Sequence, residues 1–270
     1  MGSNPTLSAK YKTASGFARR QSALGLRFCY TGFVGILDFL YPKHCIACKK
    51  FGSYVCADCF ARLSFAQGNM CLVCNKGTFT GFTHINCRKR NVIDGCFTSL
   101  AYNSVAKRLI YAFKYKPYIS DLSHTLGEFL YEGIIQQEGF AKVVEQAEHP
   151  LLTFVPLHKK RHRERGYNHA EILAKDFAKR HGFVLMPLLI RTTFTRRQVG
   201  LKREDRLKNV AGAFRVKGDW GDKSEKGGIR GTTVFIIDDV VTTGATLLEC
   251  AKVLKQAGVK EVYGITLARE

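Results

Sequence analysis

The sequence predicts an α/β fold, a parallel sheet with helices on both of its faces, preceded by a small zinc-ribbon domain. Three observations carry this expectation. From residue 97 onward, apolar runs of strand length alternate with segments whose apolar residues recur at helical spacing, the pattern of strands joined by crossover helices. One run, Val234 to Ile237, is apolar and rich in β-branched residues with no polar alternation, as a strand covered on both faces requires. Ahead of these elements, seven cysteines fall between residues 45 and 87, six of them in Cys-x2-Cys pairs.

The chain divides at residues 37 and 95. Residues 1–27 are polar, basic and rich in Ser, Gly and Ala, a composition that buries too little apolar surface to order itself. The apolar stretch Phe28 to Tyr41 resembles a signal peptide only superficially. Asp38 interrupts it and Tyr-Pro-Lys-His-Cys is a poor cleavage site, so a short helix ending a tail of 1–37 is expected instead. No run of 18 apolar residues occurs, which argues against a transmembrane segment and for a cytoplasmic protein.

Residues 38–95 form the expected metal domain. Ten cysteines on a basic chain with no export signal point to metal rather than disulfides. Cys45, Cys48, Cys56 and Cys59 supply two knuckles for one tetrahedral Zn²⁺. Cys71 and Cys74 with Cys87 lack a fourth thiol, and His84, separated from Cys87 by the same two-residue spacer as in the knuckles, completes a Cys3His set. His44 is a competing candidate, although its spacing fits no knuckle. Cys29, Cys96 and Cys250 sit among apolar neighbours and are expected as small core residues.

Residues 96–270 carry the sheet. Phe97 to Tyr102 reads as a strand, Ser104 to Tyr115 as an amphipathic helix with Val105, Leu109, Ile110 and Phe113 on one face, and Asp121 to Ile135 as a second helix. Leu151 to Val155, Thr232 to Ile237 and Glu261 to Leu267 are strands, and Asn168 to Arg180 and Thr246 to Gln256 are helices, the last stopped by Gly258. Lys217 to Gly231 is expected as a surface loop and Arg191 to Asn209 as a long basic one.

The most telling segment is Val-Phe-Ile-Ile-Asp-Asp-Val-Val-Thr-Thr-Gly-Ala-Thr, residues 234–246. It places two carboxylates at the end of a buried strand and a hydroxyl- and glycine-rich loop at the start of a helix, where open α/β sheets bind ligands. Asp238 and Asp239 suit ribose hydroxyls, and Thr242, Thr243, Gly244, Ala245 and Thr246 suit a 5′-phosphate at the positive helix end. An ordinary capped turn would not call for two adjacent acids followed by that loop. No Gly-x-x-x-x-Gly-Lys-Ser/Thr string occurs, which speaks against a Walker-type kinase or ATPase.

This string resembles the phosphoribosyl-pyrophosphate motif of the type I phosphoribosyltransferases. Residues 154–174, from Phe-Val-Pro-Leu-His to Ile-Leu-Ala, and Gln198, Arg203, Arg206, Asn209, Val210 and Phe214, are similar to the signatures of the ComF family of late-competence proteins and their GntX-type relatives. The resemblance runs from about Asp38 to Glu270. It implies a type I phosphoribosyltransferase-like sheet and a pyrophosphate loop at Leu157 to Arg161, with Lys160, Arg161 and Arg165 as contacts and Arg161 beside Asp238 and Asp239 in catalysis. It also implies Mg²⁺ with the substrate and structural zinc, of which some members hold only one. A polar segment such as 191–209 closes over the substrate in the resembling enzymes.

Charge widens the range of partners. Lys and Arg number 42 against 22 Asp and Glu, a formal net charge of +20 that favours polyanions such as single-stranded DNA. Lys10, Lys12, Arg19, Arg20 and Arg27 precede the first acid, and two further clusters lie at 159–165 and 191–208. An anionic small substrate alone would account for the last two. Three readings follow: a phosphoribosyltransferase in DNA uptake or nucleotide salvage, a non-catalytic DNA-binding competence factor working with DNA-uptake machinery proteins, and a ligand-sensing regulator that retains the ribose-phosphate pocket. The acceptor of the ribosyl group is not legible.

Overall fold

The computed structural model of the chain describes residues 43–66, 68–115, 120–195, 203–218 and 228–270. The basic tail, the short helix expected near 28–41, Cys29 and Gln198 lie outside the described residues.

The metal region is built from two similar turns. In each, the residue after the second cysteine, Lys49 or Asn75, takes a left-handed backbone (φ 70° and 59°) and bonds back to the first cysteine's carbonyl, at 2.7 and 2.8 Å. That reversal folds the Cys-x2-Cys spacer so that both thiols face one point. Ala57–Phe60 (α1) presents Cys59 a turn after Cys56. Asn69–Met70 (β1) pairs antiparallel with Gly77–Thr78 (β2), and a 3-10 turn at Ile85–Cys87 returns Cys87 beside them.

The remaining chain runs Gly95–Ala101 (β3), Ser104–Tyr115 (α2), Ser120–Ile135 (α3), Glu138–Gln146 (α4), Leu151–Phe154 (β4), Lys159–Arg165 (α5), His169–His181 (α6), Val184–Leu185 (β5), Leu189–Arg191 (β6), Arg203–Val210 (α7), Phe214–Val216 (β7), Thr233–Val241 (β8), Ala245–Gln256 (α8) and Glu261–Arg269 (β9). Five strands form one sheet in the order β3-β9-β8-β4-β5, every pair parallel, while β6 and β7 make a separate antiparallel hairpin. Helices cover both faces of the sheet. Hence every residue from Thr233 to Ile237 is buried, which is why this strand reads as an unbroken apolar run.

The core centres on aromatic rings. Phe140 of α4 meets Phe97 of β3 at 5.8 Å, Phe235 of β8 at 5.4 Å and Phe177 of α6 at 6.0 Å between centroids. The sequence pattern does not single out α4, because a nine-residue segment with Gln137 in place of a capping residue gives a weak signal. Tertiary packing supplies what propensity lacks. Gly139 lets α4 approach the ribbon so closely that a Cβ there would lie 1.8 Å from the Thr80 carbonyl oxygen.

The ribbon is bound to the sheet by a closed polar triangle. Asn69, only 7% exposed, accepts from the Thr98 amide at 3.0 Å and donates to Gln137 Oε1 at 2.8 Å, and Gln137 Nε2 donates back to the Thr98 carbonyl at 2.8 Å. Every polar atom that this burial strips of water is thereby paired. Residues Lys43–Glu270 accordingly form one compact unit.

Three expectations require correction. The strand ending at Ile237 continues to Val241, so both acids lie within β8 rather than after it. The basic segment 191–209 is not a bare loop, since Arg191 ends β6 and Arg203–Val210 is helical. Lys160 and Arg161 belong to a short helix, because the His158 side chain accepts the Lys160 amide at 3.2 Å and caps α5 where a loop was expected.

Candidate functional site

The eight predicted zinc ligands gather into two groups, Cys45, Cys48, Cys56 and Cys59, and Cys71, Cys74, His84 and Cys87. Within each group the ligand atoms lie within 4.8 Å of one another, including Cys48 Sγ to Cys56 Sγ at 3.5 Å and Cys74 Sγ to His84 Nδ1 at 3.2 Å. A zinc tetrahedron with bonds of ~2.3 Å needs about 3.8 Å between ligands, so both sets fit the ion. His84 is also oriented from behind, because its Nε2 donates to the Gly77 carbonyl at 3.0 Å and leaves Nδ1 as the metal-facing nitrogen.

One thiol of each group is prepared for deprotonation, whereas burial and the neighbouring thiols push Cys59 and Cys87 up. Burial opposes ionisation of Cys45 and Cys71, but backbone N–H groups outweigh it: those of Cys56, Cys48 and Ala47 bring Cys45 down to about 6, and those of Cys74, His84 and Val73 bring Cys71 to about 7. His44 is not in either group. It pairs with Phe51 in a short bridge and meets that ring edge-on at 5.8 Å. Cys96 and Cys250 are buried in the core as expected.

The acid pair sits where β8 runs on past β4 while still paired with β9. Successive strand residues face opposite ways, so the two carboxylates have different surroundings. Asp239 pairs with Lys114 of α2, Oδ1 to Nζ at 3.0 Å, both side chains being largely buried. Burial opposes the Lys114 charge, yet the Asp239 carboxylate more than compensates and holds its pKa above the ordinary value. Asp238 accepts the Asp239 amide at 2.9 Å. Burial first, and the neighbouring Asp239 charge second, push it up to about 7 despite opposing pulls from Lys114 and Arg191.

After Val241 the chain turns through Thr242 and Thr243 to Gly244, whose φ of 76° is the left-handed conformation that glycine adopts at little cost. Helix α8 begins at once, and a shallow open hollow lies between Asp238, Thr242, Gly244, Thr246 and Leu247. Not every hydroxyl is turned into it. Thr242 Oγ1 accepts from Arg206 and Thr243 Oγ1 from the Ala245 amide at 3.5 Å.

The second metal turn touches this loop directly. Arg203 donates to the Thr243 carbonyl at 3.3 Å and to the Leu72 and Val73 carbonyls at 3.0 and 2.9 Å. A Cβ at Gly244 would lie 3.0 Å from the Leu72 Cβ. Leu72 and Val73 are the two residues between Cys71 and Cys74, so one guanidinium spans from the metal turn to the loop.

On the other side stands α5. Arg161 donates to the Thr195 carbonyl at 2.8 Å, and Arg191 donates to the Thr195 hydroxyl. Arg191 Nε is buried with no hydrogen-bond partner among the described residues, and burial together with the Arg161 charge lowers the Arg191 pKa. Two guanidiniums of like charge thus converge on Thr195. Sequence reading singles out Arg161 and includes Arg191 in the basic cluster at 191–208, but misses Lys114, whose role depends on contact with a residue distant in the chain. His169 is likewise unforeseen. It is 2% exposed, lies against Phe113 and Tyr167, and burial lowers it to about 4, so it is neutral at pH 7.

Two family models match the chain in this order. Residues 36–89 match the double zinc ribbon domain and residues 170–270 the phosphoribosyl transferase domain. Competence protein F of Haemophilus influenzae is 28% identical over 82% of the chain and 99% of its own length. Competence protein ComFC of Bacillus subtilis is 27% identical over 80% of the chain and 84% of its own, and the DNA utilization protein YhgH of Escherichia coli K12 is 26% identical over 80% and 96%. The chain resembles the ComF competence proteins over about four fifths of its length. The zinc-ribbon match takes in all eight metal ligands, and the transferase match takes in β8, the loop and Arg191. The matched segment carries the acid pair on β8, while Lys114, which pairs with Asp239, lies outside it. No helix among the described residues is long and apolar enough to cross a membrane.

Proposed function

We propose that this ComF-like protein binds phosphoribosyl pyrophosphate with Mg²⁺ at the Asp238-to-Thr246 loop, binds single-stranded DNA on its basic surface, and acts in DNA uptake. The observation that carries the ligand assignment is the strand–loop–helix turn itself, with Asp238 at one side of the hollow, Asp239 next to it on β8, and the N-terminus of α8 at the other side. Carboxylate oxygens suit Mg²⁺, a hard ion that supplies charge neutralisation to the pyrophosphate when bound. Asp238 and Asp239 hold the ribose hydroxyls, and Gly244, Ala245 and Thr246 receive the 5′-phosphate on backbone N–H groups. Lys160, Arg161 and Arg165, with Arg191, face the pyrophosphate. Where a ribosyl group is transferred, the acids stabilise the cationic sugar as pyrophosphate departs, so no protein nucleophile is needed. Competence and DNA-utilization names of the relatives support the DNA-uptake role.

Calorimetry with phosphoribosyl pyrophosphate and Mg²⁺ tests the pocket. Binding is expected for the wild type and is weakened in a protein carrying both Asp238→Asn and Asp239→Asn; absence of heat from the wild type at saturating ligand overturns the ligand assignment. A ligand-sensing regulator is the second reading, favoured by the bonds of Arg206 to Thr242 and Arg203 to Thr243, which a 5′-phosphate would disturb. Pyrophosphate release with bases, nucleosides or DNA present separates the two, since a sensor binds the ligand without turning it over.

A further inference from the structure

Two tyrosines on α2 stand out in water. Tyr111 is 63% exposed and Tyr115 is 46% exposed, and their rings touch at 4.7 Å between centroids. They are one helical turn apart, so the pair is a built face of α2 rather than a chance meeting. The Arg165 guanidinium lies over the Tyr115 ring, 5.5 Å from its centroid. Arg161, one turn before Arg165 on α5, lies 5.6 Å over the ring of Phe194, which is itself 46% exposed and carries Lys160 at 4.9 Å. The result is a continuous row: Tyr111, Tyr115, Arg165, Arg161, Phe194 and Lys160.

Core packing does not explain this row, since three of its six members are large aromatic rings left substantially in water. Nor does the ribose-phosphate pocket, which uses the cations but has no need of Tyr111 and Tyr115. We propose that the row is a stacking platform for single-stranded nucleic acid, with an unpaired base lying on the open face of Tyr111 and the following phosphates passing along Arg165, Arg161 and Lys160. Alternating aromatic faces and cations match the alternating bases and phosphates of an unpaired strand. A duplex hides its base faces and would meet only the cations. Glu164 is the single carboxylate of α5, so the row stays strongly positive. The platform rests on the single-stranded DNA part of the function proposed above and names the residues that read the strand.

The test uses full-length zinc-loaded protein and fluorescence anisotropy with a short oligothymidylate, the same length of abasic strand, and a duplex. Tyr111→Ala combined with Tyr115→Ala should weaken oligothymidylate binding about 5- to 100-fold, while Tyr111→Phe with Tyr115→Phe binds like the wild type. Abasic-strand affinity should be lower than that of oligothymidylate in the wild type and insensitive to the alanine changes. Because both rings are exposed, folding is expected to survive, and an unchanged melting temperature and zinc content confirm that. If the wild type binds no single strand, the DNA-binding reading and the platform both fall. If the wild type binds but the alanine variant binds equally well, or the duplex binds as tightly as the single strand, the platform alone is overturned.

Discussion

Asp238 lives under opposing demands. A carboxylate that the protein surrounds, beside a second acid, is costly to ionise, and its pKa rises from the ordinary 3.8 to about 7. Between those two values the folded chain keeps a proton that the unfolded chain has lost, so stability falls as pH rises from about 4 to 7 and stays lower above that. Replacing Asp238 by Asn removes the charge and keeps the shape. The variant is expected to be more stable than the wild type at pH 8, with the advantage shrinking toward pH 5, as read from urea unfolding with zinc present. An equal difference at both pH values would contradict the shift. This conflict is partly readable in the sequence, since two adjacent acids closing an apolar run announce burial and mutual repulsion. What relieves it is not readable: Lys114 lies about 125 residues earlier, on a helix whose pattern marks the lysine only as lying off the apolar face. His169 is illegible for the same reason, because its meaning comes from what the fold packs beside it.

Elements differ in how openly their sequences declare them. Helix α2 is legible to the residue at both ends, because its apolar positions keep the helical period over three turns. Short pieces are not. The hairpin of β6 and β7 and the helix α7 between them are held by contacts to α8 and to the site loop, and the polar composition of 191–209 conceals them. The metal turns are legible because tetrahedral ligation imposes a fixed spacing, which also gave His84 its place. That assignment has a direct check. Purified wild type should contain two zinc ions, His84→Ala about one, and His44→Ala two, by elemental analysis under the same purification. The second turn sits against Gly244 through Leu72 and against Thr243 through Arg203, so loss of its ion should also weaken binding of phosphoribosyl pyrophosphate. Equal zinc in the His84 and wild-type proteins would remove histidine from the ligand set.

For the molecule as a whole, charge decides the long-range behaviour. With both metal groups filled, four thiolates around one Zn²⁺ carry −2 and three thiolates with His84 carry −1, so the formal +20 becomes about +17. Such a surplus attracts any polyanion, and the useful question is which cations are engaged. Composition alone treats the clusters at 159–165 and 191–208 as equivalent, and the fold separates them. Lys159, Lys160 and Arg163 are exposed on α5, whereas Arg203 and Arg206 are turned inward and bonded to the loop of β8 and α8. Each phosphate neutralised on a single strand contributes about −0.7 to the slope of log affinity against log salt. Replacing Lys159, Lys160 and Arg163 by Gln should therefore flatten that slope by up to about 2, whereas Arg206→Gln should leave it nearly unchanged and act on the small ligand instead. Exposed tyrosines carry no charge, so Tyr111→Ala should lower affinity at every salt concentration without altering the slope. Measured over a salt series on one oligonucleotide, these variants distinguish a DNA surface on α5 from attraction spread over the entire chain, for which the α5 and Arg206 changes would shift the slope in proportion to charge alone.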